Sequence, residues 1–175
     1  FEQHRDIFYL SGINQEESVL AIINSEIEKS KQEILFVTKP NETLTHWEGE
    51  KLSKTKAYEI SGIKNVYWIE DLEKIVEEFM SLVDILYINT NEHYRAKVET
   101  ETREARFNKW IKKKYPKKGN KRSNPILQRL RAVKEPVEIE LIQKACNITE
   151  KGFRRILDFV KPGVWEYEIE AEFSH

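Results

Sequence analysis

Apolar residues come in short blocks along the first part of the chain and in a long helical repeat towards its end. Val19, Leu20, Ala21, Ile22 and Ile23 follow one another without a break, which is the pattern of a strand covered on both faces. Residues 33–38, 65–69 and 84–89 are further blocks rich in β-branched and aromatic side chains, and they predict strands. Phe8, Tyr9 and Leu10, punctuated by Gly12, predict another strand near the start. Joined by short polar links, the first three strands are expected to form an antiparallel meander. Helical spacing alternates with the later strands. Residues 50–60 predict a helix closed by Ser61 and Gly62, and Leu72, Ile75, Val76, Phe79 and Met80 share one face of the next helix. Residues 98–110 predict a third helix, heavily charged. The expected fold class is α/β, a mixed β-sheet flanked by helices.

The last stretch is helical throughout. Ile126, Leu127, Leu130 and Val133 space as a short helix. Pro136 then suits a first helical position, Glu138 and Glu140 suit the positive end of the dipole, and Leu141, Ile142, Ala145, Ile148, Ile156, Leu157 and Val160 form one apolar stripe. Pro162 and Gly163 stop that helix, and residues 164–175 begin another. Trp165, at the start of the last helix, offers no capping oxygen, so a poorly capped end is expected there.

Composition narrows the function classes. The chain has 175 residues, 39% hydrophobic and 34% charged, with a net charge of −1. It is long enough for one domain, or one domain and a piece of another. The balanced charge gives no general case for nucleic acid or an anionic membrane. No apolar run approaches the roughly 20 residues of a membrane helix, and no signal-peptide pattern opens the chain. The lone Cys146 has no internal disulfide partner, so a reducing, cytoplasmic setting is expected. Residues 109–122 hold eight basic residues and no acid, broken by Pro116, Gly119 and Asn120. Trp110 and Tyr115 interleave with the lysines as a base-stacking platform would. Glu99, Glu101 and Glu104 lie just upstream, and the stretch reads as a solvated linker, with a domain boundary near 116–125.

Candidate chemistry is sparse. His4-x-Asp6 and His46-x-Glu48 are each a possible pair of metal ligands, whereas a catalytic zinc needs about three. The four histidines are scattered, and no nucleophile elbow, phosphate loop or paired-cysteine motif occurs. Ser11 reads as a strand-end hydroxyl and Cys146 as a small helix residue. Glu166, Glu168, Glu170 and Glu172 alternate by two, so they cannot converge on one helical face.

Three phrases carry a family resemblance. Arg131-x-x-Lys134-x-Pro136-x-Glu138-Ile139, then Ala145, then Lys161-Pro162-Gly163-x-x-Glu166-x-Glu168-Ile169 resembles the start of the catalytic domain in Xaa-Pro aminopeptidases and their creatinase/prolidase relatives. Asp6…Tyr9-Leu10-Ser11-Gly12 and Trp47-Glu48-Gly49 resemble the amino-terminal domain of the same family. Where the aminopeptidase P branch usually has arginine after that glycine, this chain has Glu50. The family also usually has several dozen residues, a strand among them, ahead of the first phrase.

The resemblance implies a non-catalytic amino-terminal domain over residues 1–120, followed over 121–175 by the linker and leading helices of a catalytic domain. The implied parent is a metallo-exopeptidase that removes the residue ahead of proline from proline-containing peptides, with two divalent metals, manganese by expectation. In that family the metal ligands stand well downstream of the Pro-Gly-x-x-Glu phrase. The portion here is therefore expected to bind no metal and to be inactive alone, shaping the active-site entrance and oligomer contacts. Trp47 and His46 are the residues expected at that entrance or at a subunit contact. A homo-oligomer is expected, with no nucleic-acid or membrane partner. The apolar stripe of residues 136–160 is expected to stand exposed until another chain or the first domain covers it. A different class of function is a non-enzymatic peptidase-like module that binds proteins such as histones. A prolidase or creatinase relative would share the fold and change the substrate.

Overall fold

The computed structural model describes residues 3–24, 32–41, 49–90 and 100–175. The chain divides into two compact units, Phe1–Asn124 and Pro125–His175.

The first unit opens with a helix, α1 (Arg5–Ser11), where the sequence predicts a strand. Local capping overrides the β-preference of Phe8 and Tyr9. The His4 imidazole accepts the Asp6 N–H at 3.3 Å, and Asp6 places a carboxylate in the first turn. Gly12, at φ 68, ends the helix in the left-handed conformation and donates its N–H to Phe8 O at 2.7 Å.

Three strands follow in the order β1-β2-β3: β1 (Val19–Ile22), β2 (Glu33–Val37) and β3 (Asn65–Trp68). β1 runs antiparallel to β2 with Val19 opposite Phe36, and β3 runs parallel to it with Ile34 opposite Asn65. The sheet is therefore mixed. The expected meander is corrected at its first member, because residues 8–10 lie in helix α1, while its other two strands do pair antiparallel. A parallel neighbour needs a crossover connection, and helix α2 (Lys54–Ser61) lies in that connection.

The central strand decides the layering. Leu35 and Val37 point to one face and cluster with Ile13, Ala57 of α2 and Ile63. Ile34 and Phe36 point to the other and cluster with Ile75 and Phe79 of helix α3 (Leu72–Met80). These four β2 side chains are buried, as the alternation of a strand between two helical layers requires, and only Glu33 at its start is exposed. β1 touches both clusters through Leu20 on one face and Val19 and Ala21 on the other, yet its last residue, Ile22, is 60% exposed.

A second, two-stranded sheet pairs β4 (Ile85–Ile88) with β5 (Gly119–Arg122) in parallel, Tyr87 opposite Lys121. Helix α4 (Arg103–Lys114), capped by the Thr102 hydroxyl at the Ala105 N–H, lies between them in sequence. Met80, Ile88 and Ile111 form the core of this part. β5 corrects the linker reading of residues 109–122: Lys121 and Arg122 lie in a strand and Lys112–Lys114 close a helix. No hydrophobic pattern marks β5, because all four of its residues are exposed. Lysine on an outer strand discourages pairing with a foreign strand.

The second unit is α5 (Asn124–Ala132), which begins at the boundary, with α6 (Pro136–Phe159) and α7 (Glu166–Ser174). The Glu138 carboxylate accepts the Glu135 N–H at 2.9 Å and caps α6. α7 starts the same way despite Trp165: Glu168, three residues on, accepts the Trp165 N–H at 2.8 Å. The expected weak cap is corrected, the oxygen coming from within the helix. Phe153 and Phe173 meet edge to face with centroids 5.4 Å apart. Gly152 allows this approach, since a Cβ there would lie 2.8 Å from the Phe173 ring. No side chain of residues 125–175 is buried, and Ile148 and Leu157 of the apolar stripe are 70% and 72% exposed.

Candidate functional site

Trp47, His46 and Glu48 lie outside the described residues, as does His93. The segment that leaves the Trp-x-Gly phrase is described, and it is tied to the turn after α1. Gly49 has φ 80 and open space around the place a Cβ would occupy. Leu52 donates its N–H to Gln15 Oε1 at 2.6 Å. Lys51 Nζ hydrogen-bonds and pairs with the Glu16 carboxylate. That hydrogen bond, with the lysine charge behind it, holds the Glu16 carboxyl below the ordinary carboxylate range against a smaller opposing effect of burial.

Gln15 is 5% exposed. Its carbonyl accepts Gln3 Nε2 at 2.7 Å and the Ser18 hydroxyl at 2.9 Å. Its own Nε2 is buried, with no hydrogen-bond partner among the described residues. Sequence reasoning passes over Gln15, because a polar residue in a polar turn carries no sign of burial.

The other sequence candidates have local tasks. The imidazole of His4 caps α1, with Nδ1 4.0 Å from the Asp6 carboxylate, and Nε2 lies 3.1 Å from the Asn89 side-chain amide. Among the described residues no group of three or more His, Cys, Asp and Glu could hold a metal ion. The two metals that the resemblance implies thus find no donor set there. Ser11 donates its hydroxyl to Ile7 O at 2.6 Å and accepts the Ile13 N–H at 3.2 Å, so it fastens a helix end and not a strand end. Cys146 is exposed on α6. Glu172 pairs with Arg155 and Glu168 caps α7, so the alternating glutamates do not converge. In the basic stretch Lys109 pairs with Glu101, and Lys114 reaches Glu73 at 2.5 Å and Glu77 at 3.9 Å. The hydrogen bond to Glu73 raises the Lys114 pKa.

Comparison with known proteins places this arrangement. Residues 1–87 match the family described as aminopeptidase P, N-terminal domain. Over those residues the chain resembles that amino-terminal domain. The likeness to curated proteins runs further along the chain. It is 24% identical over 176 aligned positions to the Xaa-Pro aminopeptidase of Escherichia coli, covering all of this chain and 40% of that protein. It is 23% identical to human Xaa-Pro aminopeptidase 3, covering 99% of this chain and 34% of that protein. Among solved structures, a candidate aminopeptidase P from Bacillus anthracis superposes with a TM-score of 0.83 at 30% identity, over 99% of this chain and 41% of its own. Zinc-substituted aminopeptidase P of Escherichia coli in complex with product shares the fold, with a TM-score of 0.76 at 23% identity over all of this chain and 40% of that one. The chain thus spans about 40% of the length of these bacterial relatives. The aminopeptidase P amino-terminal domain accounts for the mixed sheet between helical layers.

Proposed function

We propose that this chain is the amino-terminal portion of a metal-dependent Xaa-Pro aminopeptidase that removes the first residue from peptides with proline second. One observation supports this most: the likeness to the Escherichia coli enzyme runs the whole length of this chain, past the amino-terminal domain and through α6 and α7. In this reading residues 121–175 are the linker and leading helices of the catalytic domain. The portion here shapes the active-site entrance and subunit contacts, with Trp47 and His46 assigned to the entrance or to a subunit contact, and it does not cut bonds itself. Two divalent metals, manganese first, would be held by residues beyond this chain. The protein works in the cytoplasm as a homo-oligomer, without nucleic-acid or membrane partners.

The test is an assay of the longer polypeptide with manganese on X-Pro peptides. Release of the first residue, with no turnover by the 175-residue chain alone, is the expected pair of results. Turnover by the short chain would overturn the division of labour. A longer polypeptide that cuts only X-Pro dipeptides, or creatine, would move it to the prolidase or creatinase branch. One without metal ligands that captures histones would be a binding module. Trp47→Ala in the longer polypeptide should slow turnover of X-Pro peptides, and unchanged kinetics would remove that residue from the entrance.

A further inference from the structure

We propose that Gln15 is a positioning residue that sets where residues 49–52 run, and through them the entrance geometry of the reading above, on which this role rests. Three observations converge. Gln15 is 5% exposed, two residues after the fully buried Ile13, in a turn where Asn14 is exposed and Glu16, Glu17 and Ser18 are half-buried. Its Oε1 holds the Leu52 N–H at 2.6 Å, while the neighbouring Glu16 holds Lys51, whose side chain is 10% exposed. Two successive residues of one turn thus grip two successive residues of the segment that follows the Trp-x-Gly phrase.

The third observation separates this from ordinary stabilisation. Capping Leu52 needs only an acceptor. Gln15 also carries a buried donor, Nε2, with no partner among the described residues, and a buried donor left unpaired works against folding. Such a side chain fits a task of placement, and placement of a segment that leads from the proposed entrance would show in kinetics more than in folding.

The experiment has two arms. In the 175-residue chain, the Leu52 amide should exchange with solvent about tenfold faster in Gln15→Met than in the parent sequence, with protection restored in Gln15→Glu, which keeps the acceptor. Equal exchange in all three would overturn the clasp. In the longer polypeptide, Gln15→Met should raise KM for X-Pro peptides by about tenfold with kcat within about twofold, and Gln15→Glu should return KM towards the starting value. An unchanged KM, or equal losses in kcat and KM that Gln15→Glu does not rescue, would overturn the positioning role. Inactivity of the unsubstituted polypeptide would end the aminopeptidase reading and this role together, while the exchange result would still decide whether Gln15 grips Leu52.

Discussion

Asn108 donates its side-chain amide to the carbonyl of Asn89 at 2.6 Å, fastening the middle of α4 to the residue that follows β4. Asn108 is 9% exposed, so the bond is made largely out of water. Asn108→Leu would leave the Asn89 carbonyl without this partner and should cost roughly 1–3 kcal/mol. Urea unfolding should show it as a lower midpoint at unchanged slope, and an unmoved midpoint would refute it.

The core between the helical layers should be unforgiving. Leu35 is fully buried on the central strand among Ile13, Val37, Ala57 and Ile63. Leu35→Ala should destabilise the first unit by about 2–5 kcal/mol, through lost apolar burial and the cavity left behind. Calorimetry of that unit's transition measures it.

The Glu16–Lys51 pair predicts a pH signature. A carboxyl held below its ordinary value contributes stability above the unfolded pKa, near 4.3 for glutamate, and loses it as pH falls through the lower folded value. Glu16 is 41% exposed, so the contribution should stay at the scale of a surface pair, up to about 1 kcal/mol. Lys51→Met should therefore be less stable than the parent sequence at pH 7, with the gap closing below about pH 4. A gap that is constant across acid pH would mean that Lys51 acts through packing alone.

Gly152 offers a test of the second unit. Alanine in place of an interior helical glycine normally stabilises by about 1 kcal/mol. Here the added Cβ would lie 2.8 Å from the Phe173 ring. Gly152→Ala should loosen α7 unless Phe173 is cut back as well. Amide exchange along α7 in Gly152→Ala, and in Gly152→Ala with Phe173→Ala, separates the two effects.

Much of this fold could be read from residue spacing. Ile75, Phe79 and Met80 are buried on α3 as their helical period requires, and β2 alternates between two layers as a continuous apolar run does. Three readings failed because polar atoms decide them, near in sequence for the two helix ends and distant for β5. His4 and Gly12 turn Phe8-Tyr9-Leu10 into helix by satisfying its ends. Glu168 caps a helix whose cap residue has no oxygen. β5 is held by backbone pairing to β4, and its Gly-Asn-Lys-Arg side chains show no apolar period to detect. Trp47 and His46 lie outside the described residues, and their proposed place at the entrance rests on the resemblance alone. Gln15 became visible only once its burial and its bond to Leu52 were seen together.

The absence of any buried side chain after residue 124 also bears on how the protein should melt. Cooperative unfolding draws its enthalpy from core that is lost all at once, and here such core belongs to Phe1–Asn124. Heating should therefore give one sharp heat-absorption peak from the sheets and their helices, over a broad, shallow loss of helical signal from α5, α6 and α7. A transition temperature quoted for this polypeptide would describe its first unit and be nearly silent about its second.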